Sequence, residues 1–207
     1  MPAKNATPPA RGRLIVIEGI DGTGKSTHAR LLAEWLRSRG REVIVEREPT
    51  AGPWGRRLRE SGATGRLAAA EELDLFQRDR RAHVAQVIRP ALAAGRDVVL
   101  DRYYFSTMAY QGARGIDPAE IRRQNEQFAP LPDLLLLLDL DVEAALARVG
   151  RRGDVANEFE QLESLRRCRT IFLEAANEPF ARLIDAGAPL ESVAARIRRT
   201  VAEWLDR

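Results

Sequence analysis

Residues 19–26 read Gly19-Ile20-Asp21-Gly22-Thr23-Gly24-Lys25-Ser26, with Thr27 next, and fit the pattern G-x-x-x-x-G-K-[ST]. The apolar run Leu14-Ile15-Val16-Ile17 stands before it, and Ala29, Leu32, Ala33 and Leu36 follow at helical spacing. Strand, glycine-rich turn and helix, in that order, form the context in which this pattern binds phosphate. Glycines let the backbone approach oxygen atoms that a Cβ would hold off. Successive N–H groups at a helix start form a nest for an anion. Lys25 then reaches the β- and γ-phosphates, and Ser26 offers a hydroxyl to Mg²⁺. The loop implies binding of a nucleoside triphosphate. By itself it leaves ATPase, GTPase and kinase open.

Outward from the loop, apolar runs alternate with helical patterns. Val43–Val45, Asp97–Asp101, Leu134–Leu138 and Arg182–Asp185 predict four further strands. Helices are expected from Lys25 to Gly40 and from about Glu71 to Ala94, with Pro90 bending or dividing the second. Others are expected at Ser106–Gly112, Pro118–Phe128, Val142–Arg152, Glu158–Ala176 and Leu190–Leu205. This alternation predicts an α/β fold with a five-stranded parallel sheet covered on both faces. Ligands of such sheets bind beyond the carboxyl ends of the strands. Residues 19–27, 47–55, 101–106, 139–141 and 185–189 therefore become candidates. Residues 1–12, rich in proline, read as a flexible tail, and 13–207 as a single domain.

Composition narrows the class. Apolar residues make up 44% and charged residues 30% of the 207, enough for a core and against global disorder. The longest apolar run, Leu134–Leu138, is far short of the ~18 residues a membrane span needs. The first residues lack the apolar centre of a secretory signal. A lone cysteine, Cys168, allows no internal disulfide, so a cytoplasmic location is expected and the thiol reads as filling on a helix face. The chain has 33 basic against 30 acidic residues, and only Lys4 and Lys25 are lysines. Arginine's planar fork suits phosphate, but acids are interspersed with these arginines, which speaks against a nucleic-acid surface. His28 and His83 have no partner at metal-ligand spacing and are expected on helix surfaces.

Three further places carry candidate chemistry. Asp101-Arg102 closes the third strand: the acid can organise Mg²⁺, and the arginine can bridge donor and acceptor phosphates. A strand-end ion pair is the plainer reading. Phe76 and Arg80, four apart, share a helix face. They could stack on a base and donate to its carbonyl, or Phe76 could be core. In Glu46-Arg47-Glu48-Pro49-Thr50, Pro49 keeps Glu48 out of the helical region and so holds Arg47 extended at the ligand edge. A solvated loop charge is the alternative there.

Together the stretches at 17–27, 46–50, 75–92, 100–112 (LDRYYFSTMAYQG), 132–140 and Ile184–Ala186 resemble the thymidylate kinase family, from about Arg13 to Leu205. The resemblance implies a three-layer P-loop kinase fold with a mobile lid and transfer of the ATP γ-phosphoryl group to dTMP, with Mg²⁺. Gly19 to Thr27 would bind ATP. Asp21 would meet the sugar 3′-hydroxyl, while Arg47 and Arg102 would hold phosphates. Phe76 would stack on thymine and Arg80 would donate to its O4. Thr107 and Gln111 would border the base edge, and Tyr110 the 2′ position of the sugar. Lys25, Asp101, Arg102 and a lid arginine would be catalytic, with Ser26 and Asp101 at the metal.

The resemblance implies an arginine either in the loop or in the lid; the loop carries none, so the lid, expected at 148–160, should supply one from Arg148, Arg151 or Arg152, with Arg152 expected to be catalytic. The family's Asp-Arg-x-Glu step is replaced by Ala156-Asn157-Glu158-Phe159. The resemblance also implies a homodimer, for which the apolar stripe Leu75–Leu92 is a candidate surface. Two other readings stay open from sequence: a related kinase with another acceptor, and a non-kinase ATP-binding module.

Overall fold

The computed structural model describes residues 11–65, 67–150 and 155–206. Five strands form one sheet: β1 (Leu14–Glu18), β2 (Val43–Arg47), β3 (Asp97–Asp101), β4 (Leu134–Asp139) and β5 (Ala181–Asp185). Their order is β2-β3-β1-β4-β5, and every pairing is parallel. Neighbouring residues of a strand point to opposite faces. All five residues of β1 and of β3 are buried, so both faces of the sheet are covered there. The helices are α1 (Lys25–Ser38), α2 (Pro53–Thr64), α3 (Ala69–His83), α4 (Arg89–Ala93), α5 (Tyr104–Gly112), α6 (Pro118–Glu126), α7 (Val142–Val149), α8 (Val155–Ala175) and α9 (Leu190–Leu205). They divide into α1 with α9, and α5 with α3, α6 and α8. The expected five-stranded parallel α/β fold is the one observed.

Some expectations shift. The 71–94 helix is divided upstream of Pro90, by a π-helical turn at Val84–Ile88; Pro90 then sits in the first turn of α4, where its missing N–H costs nothing. Helix α2 was not anticipated. Its residues PWGRRLRESGAT hold two glycines and few apolar side chains, and only Pro53 at its start marks it. The end of the expected tail is anchored: Arg11 pairs with Asp133 at 3.0 Å, and Gly12 N–H donates to the Leu92 carbonyl at 2.8 Å. Residues 1–10 lie outside the described residues. Both histidines are buried rather than on helix surfaces, His28 at 3% and His83 at 4% exposure: His28 faces inward with the apolar stripe of α1, and His83 with the buried, mostly charged face of α3 that holds Asp79 and Arg80. Cys168 is buried on α8, as expected. Among the described residues no helix is long and apolar enough to cross a membrane.

The topology places the site. β1 lies between β3 and β4, and the glycine-rich loop leaves its carboxyl end. Register then sets Arg47 of β2 opposite Asp101 of β3 at that same end. A parallel sheet brings these residues together although the chain separates them widely.

Candidate active site

The loop between β1 and α1 is built as the sequence requires, with an addition. Gly22 has φ 88°, and a Cβ there would fall 2.4 Å from the Ala145 carbonyl of α7. Gly19 has φ 140° and would meet the Leu138 carbonyl at 2.3 Å. These glycines therefore serve close packing against the end of β4 and against α7, besides any phosphate. Helix α1 starts with no side-chain cap and no acid in its first turn. Its N–H groups and dipole are left for an anion.

Lys25, 5% exposed, donates from Nζ to the Ile20 carbonyl at 2.7 Å. Burial, with the Arg102 guanidinium nearby, pushes its ammonium down to about 8 against the pull of Asp21, Glu18 and Asp101. A bound polyphosphate reverses that balance. Nucleotide binding at pH 8 is therefore expected to take up a fraction of a proton, and affinity to fall as pH rises above about 8. Calorimetry in buffers of different ionisation enthalpy checks this. No uptake, together with a flat affinity between about pH 7 and 9, would contradict it.

Among the described residues, three cavities open at the carboxyl end of the sheet. One of about 480 Å³ runs past Ser26, Arg47, Thr50 and Asp101. Of the other two, one, about 270 Å³, is bordered by Asp21, Gly22, Gly24, Lys25, Ser26, Thr27, Arg47, Arg102 and Arg148. The other, also about 270 Å³, is lined by all eight residues expected at the acceptor: Asp21, Arg47, Phe76, Arg80, Arg102, Thr107, Tyr110 and Gln111. Asp21, Arg47 and Arg102 border both. Gly19, Ile20 and Thr23 are buried inside the loop and border none of these cavities: Thr23 Oγ donates to the Ile20 carbonyl at 2.9 Å. Arg148 donates to the Ala186 carbonyl at 3.0 Å, beside the loop. Arg151 and Arg152 lie outside the described residues.

At the junction, Arg102 pairs with Asp21 and donates to Ser106 Oγ at 3.3 Å. Its φ of 71° is left-handed, a conformation that L residues avoid and that clusters at functional sites. Burial opposes its charge, but Tyr110, Asp21 and Glu18 outweigh that and hold the guanidinium above its ordinary value. Burial likewise acts to raise Asp21, yet Arg102 and Lys25 hold its carboxyl below the ordinary value. The Asp21 N–H donates to the Tyr110 hydroxyl at 3.1 Å, so loop and α5 are tied together.

Arg47 is exposed, with Nε 3.6 Å from Asp101 Oδ2. Ser26 Oγ donates to Asp101 Oδ2, while Asp101 Oδ1 is buried with no hydrogen-bond partner. A hydroxyl beside an unsatisfied carboxylate oxygen is a hard donor set that fits Mg²⁺. Among the described residues there is no cluster of three or more His, Cys, Asp or Glu able to hold a metal. Mg²⁺ keeps waters and phosphate oxygens as ligands, so it does not require one.

In the third of these cavities Phe76 is only half-buried, an aromatic left on a cavity wall rather than in the core. Arg80 is 1% exposed; it donates from Nε to Glu48 at 2.7 Å, from Nη1 to Asn125 at 2.7 Å and from Nη2 to Thr107 at 3.0 Å. Three of its five N–H donors are thus engaged within the protein. Gln111 donates to Glu72 at 2.5 Å.

Sequence reasoning missed Glu18. Its fully buried carboxylate accepts from Tyr103 N–H at 2.6 Å and from Ser106 N–H at 2.9 Å and Oγ at 2.6 Å. Tyr103 is the N-cap of α5, and Ser106 lies in its first turn. From β1, Glu18 thus does for α5 what a capping box does within one helix. Burial outweighs these bonds and the Arg102 charge, and pushes the Glu18 carboxyl up to about 7. The one available signal was an acid ending a wholly apolar strand.

Comparison with known proteins agrees with this geometry. A family model described as thymidylate kinase matches residues 17–197. A thymidylate kinase of Akkermansia muciniphila is 53% identical over 192 residues, covering 93% of this chain and 92% of the relative. One from Xanthomonas campestris pv. campestris is 54% identical over 182 residues, covering 88% and 79%. Another, from Xanthomonas euvesicatoria pv. vesicatoria, is 53% identical, covering 88% and 80%. With its phosphate loop, its two joined cavities and these relatives, the chain belongs to the thymidylate kinase family.

Proposed function

We propose the following division of labour for the reaction of this family, transfer of the ATP γ-phosphoryl group to the 5′-phosphate of dTMP. The observation that carries it is the pair of cavities meeting at Asp21, Arg47 and Arg102. An oxygen of the dTMP phosphate attacks the γ-phosphorus, the bond to the β–γ bridging oxygen breaks, and dTDP and ADP leave. The protein contributes positioning and charge neutralisation.

The N–H groups at the start of α1, with Lys25, hold the donor's β- and γ-phosphates. Ser26 and Asp101 would hold Mg²⁺, which neutralises phosphate charge when bound. Arg47 and Arg102 hold the acceptor phosphate in line, and Asp21 meets the sugar hydroxyl. Phe76 stacks on the base, and the N–H groups that Arg80 keeps free donate to its carbonyl. Thr107, Tyr110 and Gln111 form fixed walls. Arg148 stands at the rim of the donor cavity, and a lid at 148–160 with Arg151 or Arg152 closing on the phosphates is carried over from the resemblance.

Homodimer assembly and a cytoplasmic location are carried over in the same way. The stripe Leu75–Leu92 is not free for an interface: Leu75, Val84, Ile88 and Leu92 are each at most 4% exposed. Interspersed acids leave no case for nucleic acid as a partner.

A coupled assay with a nucleotide panel tests the assignment. kcat/KM for dTMP is expected to exceed that for dCMP, dGMP, UMP and AMP by at least about tenfold, because a site built for one base edge leaves polar groups unpaired with another. Equal use of dCMP would overturn the base-reading roles of Arg80, Thr107 and Gln111.

A further inference from the structure

Arg80 ends a chain of charges that runs behind the acceptor cavity to the edge of the sheet. Its Nε–H donates to Glu48 Oε2 at 2.7 Å. The other oxygen, Glu48 Oε1, lies 3.1 Å from Nδ1 of His83. On the far side of the ring, Nε2 is 3.3 Å from Glu46 Oε2, near enough to pair by charge but with no hydrogen-bond partner. Arg80, Glu48 and His83 are each at most 4% exposed, whereas the Glu46 side chain is 34% exposed. Arg80 and His83 stand on one face of α3; Glu46 belongs to β2 and Glu48 to the turn after it.

An ionised carboxylate only accepts hydrogen bonds, and a neutral imidazole has one donor nitrogen and one acceptor. A ring with a carboxylate at each nitrogen is suited on both sides only as imidazolium. The chain Arg80–Glu48–His83–Glu46 is then balanced, two cations against two anions. Without the proton on His83, one carboxylate faces a lone pair and two buried or half-buried anions share one cation.

We propose that protonated His83 is a positioning residue for dTMP: held between Glu46 and Glu48, it fixes the Glu48 carboxylate and through it the guanidinium of Arg80. This rests on the reading of Arg80 as the group that meets the base. Burial alone would lower the His83 proton affinity, but Glu48 and Glu46 raise it above the ordinary value. Other charged or titratable groups around the chain are Tyr103, whose ring lies 5.4 Å from the Arg80 guanidinium, Arg89, which acts on Tyr103, and Asp21, Arg47 and Arg102, which line the same cavity as Glu48 and Arg80. The ring therefore keeps its proton to higher pH than a free imidazole does, and gives it up as pH rises further. Recognition of dTMP weakens in that direction.

The test is KM for dTMP against pH at saturating ATP, so that Lys25 does not enter. The parent should show a one-proton rise in KM with rising pH, beyond the ordinary imidazole range, with kcat moving less than about twofold. His83→Asn keeps a donor at the Nδ1 position without the charge. It should raise KM for dTMP about 5–10-fold, leave KM for ATP alone and abolish the pH step. Glu46→Gln, at the exposed end of the chain, is the second variant. It should leave KM at low pH unchanged and shift the step to lower pH. Arg80→Met tests the premise separately: an unchanged KM for dTMP would remove Arg80 as the base reader. If Arg80→Met raises KM but neither His83→Asn nor Glu46→Gln alters the pH profile, the proposal fails and the base-reading role stands. A fall in kcat with KM unmoved in His83→Asn would mark a merely structural role and also overturn it.

Discussion

Replacing Arg102 with alanine is expected to lower kcat at least ~100-fold while the chain still folds. Arg102 borders both cavities, so its guanidinium can reach the donor and the acceptor phosphates at once. Arginines that stabilise charge in phosphoryl transfer are worth on the order of 10³–10⁵ in kcat where they act alone. In the proposed assignment Lys25 and Arg47 would share the load, which sets the lower bound. Arg102→Lys keeps a charge but not the two-pronged donor geometry, and should fall between parent and alanine.

Misfolding is separated from chemistry by Arg102→Gly. A side chain at φ 71° costs roughly 1–2 kcal/mol that glycine avoids. The glycine variant should therefore melt near the parent although it loses the Asp21 ion pair, and should be as inactive as the alanine variant. Steady-state rates and thermal melts of the three variants check this. Turnover within about tenfold of the parent in Arg102→Ala would remove Arg102 from the transferring group.

The largest stability effect is expected at Glu18. Glu18→Ala leaves the buried N–H groups of Tyr103 and Ser106 without their acceptor and removes a carboxylate facing Arg102. An unpaired buried donor costs about 1–3 kcal/mol, and breaking a buried charged network about 3–5 kcal/mol. A fall in Tm of roughly 6–20 °C follows for a chain of this size. Activity should fall with it, because Thr107, Tyr110 and Gln111 ride on α5.

Glu18→Gln is the informative control. Its carbonyl can accept both N–H groups and its amide can donate to the Ser106 hydroxyl, so most of the capping survives. What it loses is titration. With the carboxyl raised to about 7 in the folded chain, the folded state binds more protons than the unfolded state between the ordinary carboxylate value and about 7. The contribution of Glu18 is therefore full at low pH and lost as pH rises through that window. Stability measured at about pH 4.5 and pH 7.5 should differ by more in the parent than in Glu18→Gln. Equal pH slopes, or an alanine variant as stable as the parent, would overturn this role.

The phosphate loop and the five strands were legible because their signals are local: apolar runs, glycines and one lysine within a short stretch. The residues expected at the acceptor came through resemblance, and the structure brings them to one cavity. Arg47 could not be separated from a surface charge by sequence alone, since its setting depends on the pairing of β2 with β3. Glu18 was missed for the same reason: its partners lie more than eighty residues away, at Tyr103 and Ser106. His83 was misplaced although a signal existed. Phe76, Arg80 and His83 follow at four and three residues, which puts the ring on the cavity side of α3. Helix α2 carried too few apolar residues to be seen, and packing on α3 and on the turn after β2 holds it.

The widened turn at Val84–Ile88 bears on what the chain tolerates through evolution. A regular helix advances about 100° per residue. Buried Arg80 before it and buried Leu92 after it, twelve residues apart, come into phase because the wide turn takes up one extra residue. A chain one residue shorter there would turn Phe76 and Arg80 off the cavity, or Ala91 and Leu92 off the core, with every amino-acid type unchanged. Selection at this stretch therefore acts on the count of residues before it acts on their chemistry. Substitutions at exposed Ala85 and Gln86 are open to drift, while insertions and deletions are closed.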